Sequence, residues 1–309
     1  MIVKYISGTN KKEFVLNRDY EIAIKECNPF DVKWSYETIE NQFGVKIKQF
    51  KKDPISLEIV LKFRGSMQTI YKNLESFLEE AETDIYNMQS GKLYIGSEYL
   101  DGYFVERTTE SSAEFYGFQK TAVFFAPYPF WIRETSYSFL PEEDDSVTII
   151  PGEEKPEPEI TMEKGIMFPD FPFDFPIKES KKTKGIFDLP CDLKRVKGIR
   201  VIENDSYLSC YFKMTLYGPV TDPEVVIANH LYKVGTTVFT GERLEIDSRT
   251  HSVKKVGRLG EETDLYNSRY KLQSVFEKIP PGRQTVTWPG GYGIDIVLYD
   301  ERSEPRWSL

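Results

Sequence analysis

Between Gly241 and Asp300 the sequence alternates apolar and polar residues in short runs broken by turn residues. Leu244 and Ile246 share one face, Val286 and Trp288 another, and Ile294, Ile296 and Leu298 repeat the pattern. Period-two alternation puts every second side chain on the same side of an extended strand, so each run has one face to cover. Pro280, Pro281 and Gly282, then Pro289, Gly290 and Gly291, mark the breaks. Short strands with one apolar face are satisfied by packing sheet on sheet, so the stretch is expected to close a β-sandwich.

The same reading extends along the chain. Leu208, Cys210, Phe212, Met214 and Leu216 alternate with polar or half-polar residues, and Ile55, Leu57, Ile59, Leu61 and Phe63 do so again. Further strands are expected at Lys12–Leu16, Tyr20–Ile24, Lys92–Ile95, Leu100–Thr109, Phe115–Ala126, Ile199–Ile202 and Glu224–Ala228. One segment has a different period. From Met67 to Tyr86, apolar residues at 67, 70, 71, 74, 77, 78, 81 and 85 form the stripe of an amphipathic helix, with Ser66 as N-cap. Glu75, Glu79, Glu82 and Asp84 lie off that stripe, which makes them a solvated face or an acidic surface turned toward something particular.

After Pro127 and Pro129 the composition changes. Residues 141–158 are acidic and rich in proline, an extended linker rather than a folded element. The expected organisation is a first domain over 1–135, a linker over 136–159 and a second domain over 160–309. Within the second, Phe168 to Pro176 alternates Phe and Pro and is expected to lie extended against a neighbouring surface.

Chemistry is sparse. The three cysteines, Cys27, Cys191 and Cys210, match no zinc or redox spacing, and they suggest synthesis in a reducing compartment. The two histidines, His230 and His251, have no neighbours at metal-ligand spacing. Gly290 to Gly293 is glycine-rich but leads into a strand, so it lacks the helix N-terminus that cradles phosphate. No catalytic residue, cofactor or metal is expected. Asp and Glu (49) outnumber Lys and Arg (40), which disfavours tight binding to nucleic-acid phosphates. No secretory signal and no apolar run of membrane-spanning length is read, so no membrane partner is expected.

Three stretches, in order, carry a resemblance. They are Lys120 to Trp131, Asp170 to Pro176, and a C-terminal set: Ile202 to Asn204, Tyr217–Gly218, Pro223 to Val225 with Asn229, Gly241 to Asp247, and a final Pro-Gly hairpin. Together they resemble the distal tail (Dit) proteins of long, non-contractile-tailed bacteriophages and prophages. The turn at Pro280 to Gln284 and the length of 180–197 depart from that pattern.

The resemblance implies a mainly β protein with one helix, a ring-forming N-terminal belt domain and a galectin-like C-terminal β-sandwich. It implies a homohexameric hub at the tail tip of the virion, made in the bacterial host cytoplasm. Such a hub joins the tail tube protein to the tail-tip and receptor-binding proteins. DNA would only pass through the channel, which Glu75, Glu79, Glu82 and Asp84 would line. The alternative is a carbohydrate-binding sandwich, with Trp288, Tyr292 and Trp307 as the aromatic platform.

Overall fold

The computed structural model describes residues 2–17, 19–110, 118–141 and 198–306. The Phe-Pro segment, most of the expected linker, Cys191 and Trp307 therefore lie outside the described residues. The first half contains β1 (Val3–Ile6), β2 (Glu13–Val15), β3 (Ile22–Cys27), β4 (Ser35–Asn41), β5 (Gly44–Lys51), β6 (Ile55–Phe63), α1 (Met67–Tyr86), β7 (Gly91–Ile95), β8 (Glu98–Glu110), β9 (Phe118–Ala126) and β10 (Trp131–Phe139). The second half contains β11 (Gly198–Asn204), β12 (Tyr211–Tyr217), β13 (Val220–Thr221), β14 (Glu224–Ile227), β15 (His230–Lys233), β16 (Thr237–Val238), β17 (Arg243–Asp247), β18 (Ser252–Val256), β19 (Glu262–Asp264), β20 (Gly282–Trp288) and β21 (Ile294–Arg302).

The N-terminal half is organised by β8. Its first residues pair with β7, which leads to β1 and β2. From Tyr103 on, with a register shift between Phe104 and Glu106, it pairs with β9, which leads to β6 and β3. The crossing needs a close backbone approach at Gly102, where a Cβ would meet the Phe125 carbonyl oxygen at 2.3 Å. Helix α1 closes this half, burying Ile70, Phe77 and Ala81 against Tyr5, Phe104 and Phe124. The Ser66 hydroxyl accepts from the Thr69 backbone N–H, as the N-cap reading requires.

The C-terminal half is a two-leaf sandwich. One leaf runs β10-β21-β12-β17-β18-β19 and the other β11-β20-β14-β15. Their inner faces supply the core: Phe212, Met214, Leu216, Leu244, Ile246, Val286, Trp288, Ile294, Ile296 and Leu298 are all buried. The mainly β architecture with one helix stands as read from the sequence.

Three details differ from expectation. No hairpin closes at Pro280–Gln284: Ile279 makes an isolated bridge to Cys210, and β20, from Gly282, pairs with β11 and β14, whereas β21 pairs with β10 and β12. The Pro289–Gly293 turn therefore crosses from one leaf to the other, where Trp288 Nε1 donates to the Tyr292 carbonyl at 3.1 Å. Second, Leu208 is exposed and the strand begins at Tyr211; Cys210 is buried and makes only an isolated bridge to Ile279. Third, the chain does not leave the sheet at 135. Ser136 to Phe139 continue β10, paired to Ile294–Val297 of β21. One strand thus runs from the first core, which holds Trp131, to the second, where Phe139 stacks on Trp288 at 5.6 Å.

Candidate assembly surface

The feature least explained by folding is the β4–β5 hairpin. It pairs only with itself, and every residue of β5 is exposed. Tyr36, Ile39, Val45, Ile47 and Phe50 all face solvent, and Phe43 at the tip is 96% exposed. Gly44, at a φ of +129°, makes the turn. Within the hairpin, Tyr36 meets Phe50 edge-on at 6.5 Å across the ladder, and Glu37 bonds Lys51. A lone two-stranded hairpin is marginal in water, and an apolar patch of this extent marks an interaction site.

Its root is anchored. Lys52 lies over the Phe130 ring at 4.7 Å and the Trp34 ring at 5.9 Å, and its Nζ donates to the Ser303 carbonyl at 3.0 Å. Burial pushes the Lys52 ammonium down to about 8, with Glu304 opposing the shift. The arm is thus clamped against the tail of the C-terminal half.

Beside the root lies a cavity of about 500 Å³ between the diverging sheets of the N-terminal half. Val3, Leu16, Ile24, Cys27, Leu93 and Ile95 line it, and Asp19 sits at its edge. The backbone link across this seam is Ile24 N–H to the Leu16 carbonyl at 3.0 Å, and β3 otherwise ladders with β6. Burial pushes the Cys27 thiol up to about 11, so it rests as the thiol at neutral pH.

The two halves meet through a charged junction. Arg249 reaches Asp101 at 3.3 Å and Glu301 at 3.6 Å and lies over the Tyr128 ring at 4.5 Å. Arg306 reaches Glu98 at 3.3 Å and Asp300 at 2.5 Å. Desolvation raises Glu301 above the usual carboxylate range, against the hydrogen bond from Tyr128.

The four helix acids do not form one surface. Asp84 is fully buried and accepts from the Tyr5 hydroxyl at 2.6 Å, Gly8 N–H at 2.8 Å and Thr9 N–H at 2.7 Å. It ties the N-terminal loop to α1 and cannot line a channel. Burial and then the Asp84 hydrogen bond hold the Tyr5 hydroxyl far above its ordinary range, so it remains a donor. Glu82 is exposed and pairs with Arg107 at 3.2 Å; Glu75 and Glu79 are exposed on the outer turns.

The aromatic sugar platform is also dismantled. Trp288 and Tyr292 are buried, and the Tyr292 hydroxyl donates to the Glu224 carbonyl at 2.6 Å. Among the described residues no group of three His, Cys, Asp or Glu side chains could hold a metal ion. Nor is any helix there long and apolar enough to cross a membrane.

Solved structures share this arrangement over the whole chain. The SPP1 Dit protein (gp 19.1), described as a paradigm of the hub adsorption apparatus in phages infecting Gram-positive bacteria, aligns with a TM-score of 0.55 at 9% identity. The alignment covers 98% of this chain and 100% of that one. This is the Dit fold.

Chains of the phage P2 baseplate in its activated conformation align similarly. With Ca the TM-score is 0.56 at 12% identity, covering 99% of this chain and 100% of that one. With Sr it is 0.57 at 12% identity, covering 98% and 99%. No family model and no curated protein matches the sequence. The fold is thus shared at 9% to 12% sequence identity. The hairpin was missed in the sequence, although Val45 and Ile47 alternating with Lys46 and Lys48, after a turn at Gly44, carry a strand signal.

Proposed function

We propose that the chain is a structural hub protein of a phage tail tip. In this reading six copies close into a ring that joins the tail tube to the tail-tip and receptor-binding proteins, while DNA passes through the lumen. The observation that carries it is the Dit fold over the whole length, together with an exposed apolar arm that a free monomer has no use for. The N-terminal half would form the belt and the sandwich would project from it. A strand common to both cores would hold the two in fixed orientation.

Of the acids assigned to the channel, Glu75, Glu79 and Glu82 are exposed and remain in the proposal. Their charge would repel DNA within a Debye length of about 8 Å, letting the genome slide. Negative-stain microscopy of the purified full chain tests the hub reading. Six-fold rings with an open lumen are expected, and a field of single compact particles at every concentration would contradict it.

A further inference from the structure

We infer that the hairpin tip of one copy docks in the seam cavity of the next, with the Phe43 ring as the knob. The inference rests on the ring reading and names the contact that would build it.

The two surfaces are complementary and belong to one chain. Phe43 is almost wholly exposed at the end of the arm, and the cavity is lined mainly by apolar side chains. A buried aromatic anchor in such a pocket is the usual energetic centre of an interface. Charge also matches. The hairpin carries Lys46, Lys48 and Lys51 against Glu37 and Glu40, a net positive charge, with Glu37 paired to Lys48 and Lys51. The cavity and its neighbouring groove carry Asp19, Glu26 and Glu58 against Lys25, a net negative charge, and Lys25 lies 3.8 Å from Glu26.

Length rules out self-docking. The cavity wall includes Cys27, Pro29 and Phe30, just before the hairpin begins. The seven residues of β4 carry the tip about 24 Å from that root, at roughly 3.4 Å per residue. A tip held that far from its own cavity meets the cavity of another copy. Tip into cavity is a head-to-tail contact, and head-to-tail contacts close into rings when the rotation allows. The open edge of β3, beside the cavity, offers backbone groups to the unpaired edges of the incoming arm.

Cys27 in the cavity wall supplies the test. The full-length Gln42→Cys variant, which keeps the Phe43 ring, is oxidised with copper-phenanthroline and is expected to give a ladder of disulfide-linked oligomers. Peptide mapping should join position 42 to Cys27, and the ladder should vanish when Cys27→Ser is added. Phe43→Asp, with unchanged circular dichroism, is expected to weaken self-association by about tenfold or more in sedimentation velocity. A ring that survives Phe43→Asp and gives no Cys27-dependent link overturns the docking and leaves the hub reading standing. A wild-type chain that is monomeric and forms no link sinks both.

Discussion

Residues 35–51 and residues 282–302 both form strands that carry large apolar side chains, and they meet opposite fates. In β20 and β21, Val286, Trp288, Ile294, Ile296 and Leu298 are buried between two leaves of the same chain. In β4 and β5, Tyr36, Ile39, Val45, Ile47 and Phe50 have no such cover. Alternation states that a face needs covering; it does not say which molecule covers it. Where the chain covers its own face the result is stability, and where it does not the face is left for assembly.

Substitutions separate the two regions by size of effect. Trp288→Ala should cost about 3–5 kcal/mol in urea unfolding, because it empties the centre of the sandwich and removes the stacking on Phe139. Arg306→Ala should follow at about 3 kcal/mol, since it leaves the buried Glu98 without its guanidinium, while Asp300 keeps Arg133 and Arg302. Asp84→Asn should cost about 2 kcal/mol by the same measurement, because an amide cannot serve all three donors that the carboxylate satisfies.

Lys52 tests the clamp between arm and sandwich. In the unfolded chain it keeps its proton up to its ordinary 10.5, whereas the folded chain releases it at about 8. Between those values the unfolded state binds more protons, so stability contributed by this group rises with pH. Thermal melts across that window should show the rise in the wild type and lose it in Lys52→Met. Smallest of all, Phe43→Ala should leave monomer stability within about 0.5 kcal/mol, because the ring touches nothing in its own chain. A large loss there would mean the arm is part of the fold after all.

Much of the architecture was legible in the residues. Helix α1 and β6 begin and end where the 3.6 and 2.0 periods place them, and the sandwich strands bury the residues that alternation marks. Pairing was less legible, because a run shows its apolar face and not its neighbour. This is why Pro280 to Gln284 read as a hairpin turn, whereas β20, which begins at Gly282, pairs with the distant β11 and β14. The site was read least well. Asp84 lies off the apolar stripe, and only the tertiary fold brings it to Tyr5, Gly8 and Thr9, 75 to 79 positions away. Trp288, a platform residue only under the sugar-binding alternative, shares the buried face of Val286, as its alternation indicates.

The central claim is that the arm over residues 35–51 makes the chain assemble. Light scattering of the full chain beside a variant with that hairpin replaced by a short glycine turn tests it most directly. The account predicts the mass of six copies for the wild type and of one copy for the folded variant. Equal masses for the two would contradict it.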